Sequence, residues 1–136
     1  MAKRKIEDVE GIGPTIGGKL CACGIKDTDG LLTEARTPAQ RKALAEKAGL
    51  TARQILKFAN MVDLYRINGV GSEFAELLEA SGVDTVPELA RRNASELAKK
   101  MADVGKARKL TRRVPSEADI GKWIAQAKSL PWALEY

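Results

Sequence analysis

The chain of 136 residues contains no histidine. That absence removes the commonest general base, every triad built on an imidazole, and histidine ligands for zinc or haem. Aromatic residues make up only 4%, so the core must be aliphatic, and a base-stacking surface is short of rings. No apolar run approaches the roughly 18 residues of a membrane span, so no membrane partner is expected. The opening Met1-Ala2-Lys3-Arg4-Lys5 runs straight into Ile6-Glu7-Asp8-Val9 without a hydrophobic stretch. It does not read as a signal peptide, and a cytoplasmic location is the default expectation. Cysteine is nearly absent too. Cys21 and Cys23 stand two apart, and alternate helical residues point about 200° from each other, so a disulfide is not expected. Two thiolates alone do not complete a tetrahedral metal site. The expectation is no metal, no cofactor, and two small buried helix residues in a reducing compartment.

What is present favours a folded chain. Hydrophobic residues make up 44% and charged residues 30%, enough apolar surface for one compact domain or two small ones. The net charge of +5 is local. Residues 99–113 hold Lys99, Lys100, Lys106, Arg108, Lys109, Arg112 and Arg113 against the single acid Asp103. This segment carries +6 and the rest of the chain −1. A near-neutral protein with one basic segment suggests an anionic partner; a solvated helix face is the alternative.

The chain also repeats itself. Val9-Glu10-Gly11-Ile12-Gly13 recurs as Ile67-Asn68-Gly69-Val70-Gly71, an offset of 58. The same offset pairs Lys19-Leu20 with Leu77-Leu78, Gly24-Ile25 with Gly82-Val83, and Leu31 with Leu89. Ile55 and Phe58 match Ile120 and Trp123 at an offset of 65, so the second copy holds about seven extra residues near Lys106–Arg112. Helix punctuation follows the same plan. Pro14 suits a first turn, with a left-handed cap at Gly24. A short helix carrying Leu31 and Leu32 is expected after Thr28-Asp29. Thr37 caps a helix that Gly49 ends, and Thr51-Ala52-Arg53-Gln54 reads as a capping box. The second copy shows a helix from Ser72 to Ser81, a short one near Leu89, a capping box at Asn93–Glu96, and a last helix from Ser116 stopped by Pro131. No period-two alternation appears. The expected fold is all-α: two tandem helical repeats, 1–65 and 66–136, packed as one compact unit. Phe58 and Trp123 fall on apolar helix faces and are expected in the core. Trp132, after Pro131, is expected to pack the tail down rather than bind a ligand.

Glycine at the first and third places of Gly-hydrophobic-Gly lets the backbone turn sharply between two helices. The N–H groups there and in the next turn lack intrahelical acceptors and lie at the positive end of a helix dipole, a cradle for a phosphate oxygen. Ile12 and Val70 should point inward and pin the turn. Residues 6–17 and 67–75 resemble the helix-hairpin-helix motif, hydrophobic-x-Gly-hydrophobic-Gly with a small residue four places on, here Gly17 and Ala75. The resemblance covers about 20 residues per copy. It implies DNA binding without sequence preference, through backbone N–H groups on phosphates. The whole chain also resembles a family of small bacterial proteins of unknown function with paired hairpins. The residues that carry this likeness are Arg112-Arg113-Val114-Pro115-Ser116 and Trp132–Tyr136.

The chain departs from the motif after the second glycine. Binding hairpins often carry Lys or Arg there; these places hold Pro14-Thr15 and Ser72-Glu73, with Glu76 and Glu79 beyond. Two functions follow from different weights on these residues. The first is a non-enzymatic, non-sequence-specific module for nucleic acid, double-stranded DNA before RNA. Its contacts would come from Gly11, Ile12, Gly13, Thr15, Lys19, Gly69, Val70 and Gly71, aided by Lys106, Arg108, Lys109, Arg112 and Arg113. The second is a protein-interaction or scaffold domain in which the hairpins are architectural and the basic segment docks an acidic protein. An enzyme is not expected, because no constellation of acid, base and nucleophile stands out. The oligomeric state is open.

Overall fold

Prolines, caps and left-handed glycines place the helices. A computed structural model describes residues 4–9, 11–108 and 114–136. Among them the secondary structure is all helical: a 3-10 turn, Ile6–Asp8, and eight α-helices, with one isolated bridge, Lys5 to Asp27, in place of any strand. The chain divides into two compact units. One runs to Asp63 and takes in Trp132–Tyr136; the other is Leu64–Pro131.

In the first unit, helix α1 (Gly13–Ala22) starts with Pro14 in its first turn, where a missing N–H removes no intrahelical bond. Gly24, at φ +88°, turns the chain after it, and Ile25 N–H closes on Leu20 O at 3.0 Å. Helix α2 (Thr28–Glu34) is capped by Asp27, whose carboxylate accepts from Gly30 N–H at 2.8 Å. Helix α3 (Pro38–Ala48) opens on the Thr37–Gln40 capping box and stops at Gly49, φ +69°. Helix α4 (Ala52–Leu64) opens on Thr51 and Gln54, which exchange bonds of 3.1 and 2.9 Å. Each such cap contributes about 1 kcal/mol. Leu20, Ile25, Leu31 and Ile55 are completely buried, and each contributes roughly 1.5–3 kcal/mol through lost apolar exposure.

The second unit holds α5 (Ser72–Ala80), α6 (Val86–Ala90), α7 (Ala94–Arg108) and α8 (Glu117–Ser129). Here α8 packs against α6 and α7, and α5 against α7. Its local bonds reproduce those of the first unit. Val70 N–H to Ile67 O answers Ile12 N–H to Val9 O, and Val83 N–H to Leu78 O answers Ile25 N–H to Leu20 O, all at an offset of 58. The Ser116–Asp119 box answers Thr51–Gln54 at 65. α7 is four residues longer than α3, at 15 against 11, so helix takes up part of the extra length. Lys109, Arg112 and Arg113 lie outside the described residues.

Two sequence expectations need correcting. The short second helix is capped by Asp27 and begins at Thr28, because an Asp side chain reaches the N–H of Gly30. Trp132 does not pack the tail down: it is 59% exposed, and Leu134 is the tail residue that enters the core. The tail is held instead by Arg41. Its guanidinium donates to Ala35 O (2.9 Å), Arg36 O (3.0 Å) and Glu135 O (2.7 Å), while Glu135 N–H bonds Arg36 O at 2.7 Å. Arg41 thereby ties the carbonyls just past the end of α2 to a segment 94 residues away. Burial pulls its pKa below the usual guanidinium range, an effect offset in part by Tyr136 and Glu135. It remains charged.

Candidate functional site

The two Gly-hydrophobic-Gly turns are the residues from which the site is built. Gly11 and Gly69 take φ of +88° and +93°, where a side chain is strained. Each lies against an aromatic ring from a later helix. A Cβ on Gly11 would stand 3.6 Å from Phe58 on α4, and one on Gly69 only 3.1 Å from Nε1 of Trp123 on α8. The two rings are buried, as expected of core residues. Ile12 and Val70 are also buried and pin the turns from inside.

The turns are not copies in every respect. Gly13 has φ +63° and begins α1, with open space where a Cβ would go. Gly71 has an ordinary φ of −103° and precedes α5. The small position also differs. A Cβ on Gly17 would come within 2.7 Å of Glu7 Cγ, so glycine lets α1 lie close against the 3-10 turn; Ala75 fills the matching place fully buried.

Some of the amides are already taken. Ile12 N–H bonds Val9 O at 3.0 Å and Val70 N–H bonds Ile67 O at 3.1 Å. In the second turn Gln126 adds a clasp that sequence reasoning missed. Its Oε1 accepts from Asn68 N–H at 2.8 Å, and its Nε2 donates to Asn68 O at 3.4 Å. Ser72 is engaged as well, through Tyr65 Oη at 2.9 Å. Among the described residues, none accepts from the N–H of Gly11, Gly13, Gly69 or Gly71.

The charged residues divide by position. Thr15 is exposed in the first turn of α1. Lys19 is also exposed, but it sits in the last turn, about 9 Å along the axis from Gly13. Helix α1 therefore does not bring Lys19 beside the turn. Glu73 and Glu79 are exposed on α5, and Glu76 is half-buried. On α7, Lys99, Lys100, Lys106 and Arg108 are all exposed. None of the four makes an ion pair with a described residue. Arg92 is different. It bonds Gly82 O (2.9 Å) and Glu88 (3.1 Å), so it closes the end of α5 rather than facing a ligand.

The comparisons with known proteins bear on the whole chain. A model for a domain of unknown function (DUF4332) matches residues 10–130. The chain belongs to that family. No curated protein and no solved structure matches it. In this DUF4332 chain, no group of three or more metal-ligating side chains gathers among the described residues. Cys21 and Cys23 are free and half-buried, more open than the buried pair expected; Cys21 lies in the last turn of α1 and Cys23 is its C-cap. Among the described residues no helix is long and apolar enough to cross a membrane.

Proposed function

We propose that the chain is a non-enzymatic module that binds nucleic acid, double-stranded DNA before RNA, without reading sequence. In this reading it consists of two tandem helix-hairpin-helix repeats. The turn at Gly11–Gly13 supplies backbone amides at the start of α1, and α7 with the segment after it supplies the cations. The observation that carries the reading is the state of α7: four exposed cations with no described carboxylate paired to them. A charge run that served only to pair internally would have its partners in the fold. Cations left facing solvent are free to neutralise phosphates, which releases the counterions condensed on the nucleic acid.

The first turn is the better phosphate site. The second has Glu73 at its mouth and its Asn68 amide closed by Gln126. Those two features favour a scaffold role for the second turn, with an acidic protein as the alternative partner of α7.

The test is a salt titration of binding to a dye-labelled duplex, with wild type and Lys106→Ala/Arg108→Ala. Phosphate contact by both residues reduces the slope of log K against log salt by about 2. An unchanged slope removes α7 from the interface. Absence of binding to DNA or RNA, with a nuclease-resistant protein complex in its place, supports the scaffold reading.

A further inference from the structure

We propose that Trp132 and Tyr136 form a stacking site for an unpaired nucleobase, a contact that rests on the nucleic-acid reading above and adds a single-stranded element to it. The low aromatic content argues for duplex binding alone, because a strand-binding surface needs rings that face solvent. Most of the rings are indeed inside: Phe58 and Trp123 are buried, and Trp123 packs against Phe74 with centroids 5.3 Å apart. The tail reverses that pattern. Trp132 is 59% exposed and Tyr136 52% exposed, and they touch edge-on at a centroid separation of 6.2 Å and an angle of 70°. An edge-on neighbour covers at most part of one face of Trp132, so flat indole surface remains open.

The exposure is not that of a loose end. Leu134 between the two rings is buried, and Glu135 is held by Arg41 and by the backbone of Arg36. The segment thus presents its aromatic residues from an anchored backbone. The Arg36 side chain, 59% exposed, is joined to Glu135 through Nε at 3.3 Å.

Area decides between kinds of partner. A large aromatic side chain covers roughly 150–250 Å², so this half-exposed pair offers on the order of 200 Å². A stable protein interface needs about 800 Å² on each side. Among the described residues the one other exposed large apolar side chain is Val114, which belongs to the other unit. The patch is too small for a second copy or a protein domain, and it is the right size for one base. On the nucleic-acid reading above, the partner is a polyanion that carries flat rings, and an unpaired base is the group of this size that it offers.

The full chain tests this with a short dT strand, a duplex of equal length and an abasic strand, each dye-labelled, at low salt. Anisotropy reads binding, and tryptophan emission reads stacking. The dT strand quenches wild-type emission. It leaves the emission of Trp132→Phe unchanged, where the buried Trp123 is the remaining indole. Affinity for dT falls about tenfold in Trp132→Ala, and the abasic strand binds wild type more weakly by a similar factor. Duplex affinity is the same in both proteins. Tyr136→Leu, another exposed position, gives a smaller loss for dT alone. If the duplex binds but dT binds without quenching, or equally well to Trp132→Ala, the stacking site is refuted and the hairpin reading stands. If neither strand nor duplex binds, both fail. Self-association that Trp132→Ala abolishes assigns the rings to a second copy and overturns the proposal.

Discussion

Replacing Arg41 with alanine should loosen the first unit by about 2–3 kcal/mol. The residue makes three charge-assisted bonds to carbonyl oxygens, and bonds of that kind contribute about 1.5–3 kcal/mol each when fully enclosed. Only the bond to Ala35 O is wholly buried; those to Arg36 O and Glu135 O are partly open to water, which can replace the lost donor. They count for about 0.5–1 kcal/mol each. Removing the guanidinium also relieves the burial that depresses its pKa, which returns part of the loss. The net is about 2–3 kcal/mol. For a unit of about 70 residues that lowers Tm by at least roughly 10 °C. Thermal melts of wild type, Arg41→Ala and Arg41→Met give the comparison. Methionine keeps the length and apolar stem of arginine and lacks its donors. Both variants should be destabilised, alanine slightly more. Amide exchange at Glu135, whose N–H is bound to Arg36 O, should speed up in both. An Arg41→Met protein as stable as wild type would show that the stem packs the site and the bonds add nothing.

Paired substitutions at the turns separate backbone strain from crowding. Gly13→Ala meets open space at φ +63° and should cost about 1 kcal/mol, while Gly69→Ala adds a contact with Trp123 Nε1 and should cost about 2–3 kcal/mol in urea unfolding. Equal losses would show that Trp123 gives way freely. Gly17→Val forces α1 away from Glu7 and should cost about 2 kcal/mol or more; a stability gain from its better helix propensity than glycine would refute the close approach. Gln126→Ala releases Asn68 and should raise the exchange rate of that amide with a stability loss of about 1 kcal/mol. An unaltered exchange rate would mean that other groups protect it.

Much of this fold is legible along the chain because its signals are local. Thr37 and Gln40, Thr51 and Gln54, and Ser116 and Asp119 close caps within three residues, and Gly24, Gly49 and Gly82 end helices by adopting backbone angles that side chains disfavour. The inward position of Ile12 and Val70 follows from the same turn chemistry. Arg41 left a faint trace: it falls on the stripe of Leu44, Ala45 and Ala48, where a charged residue is out of place unless something meets it. Gln126 left none, since an exposed helix face ordinarily carries such a residue.

The amino-acid sequence alone therefore determined where helices begin and end and that two stretches turn in related ways, since each depends on neighbours within one or two helical turns. Only the tertiary structure decided that Arg41 holds Glu135 from 94 residues away, that Gln126 closes one turn, and that Trp132 faces solvent. Trp123 is inside because it falls on the apolar face of α8, whereas Trp132 lies outside any helix, where burial is set by what the rest of the chain brings near it and no local pattern encodes that.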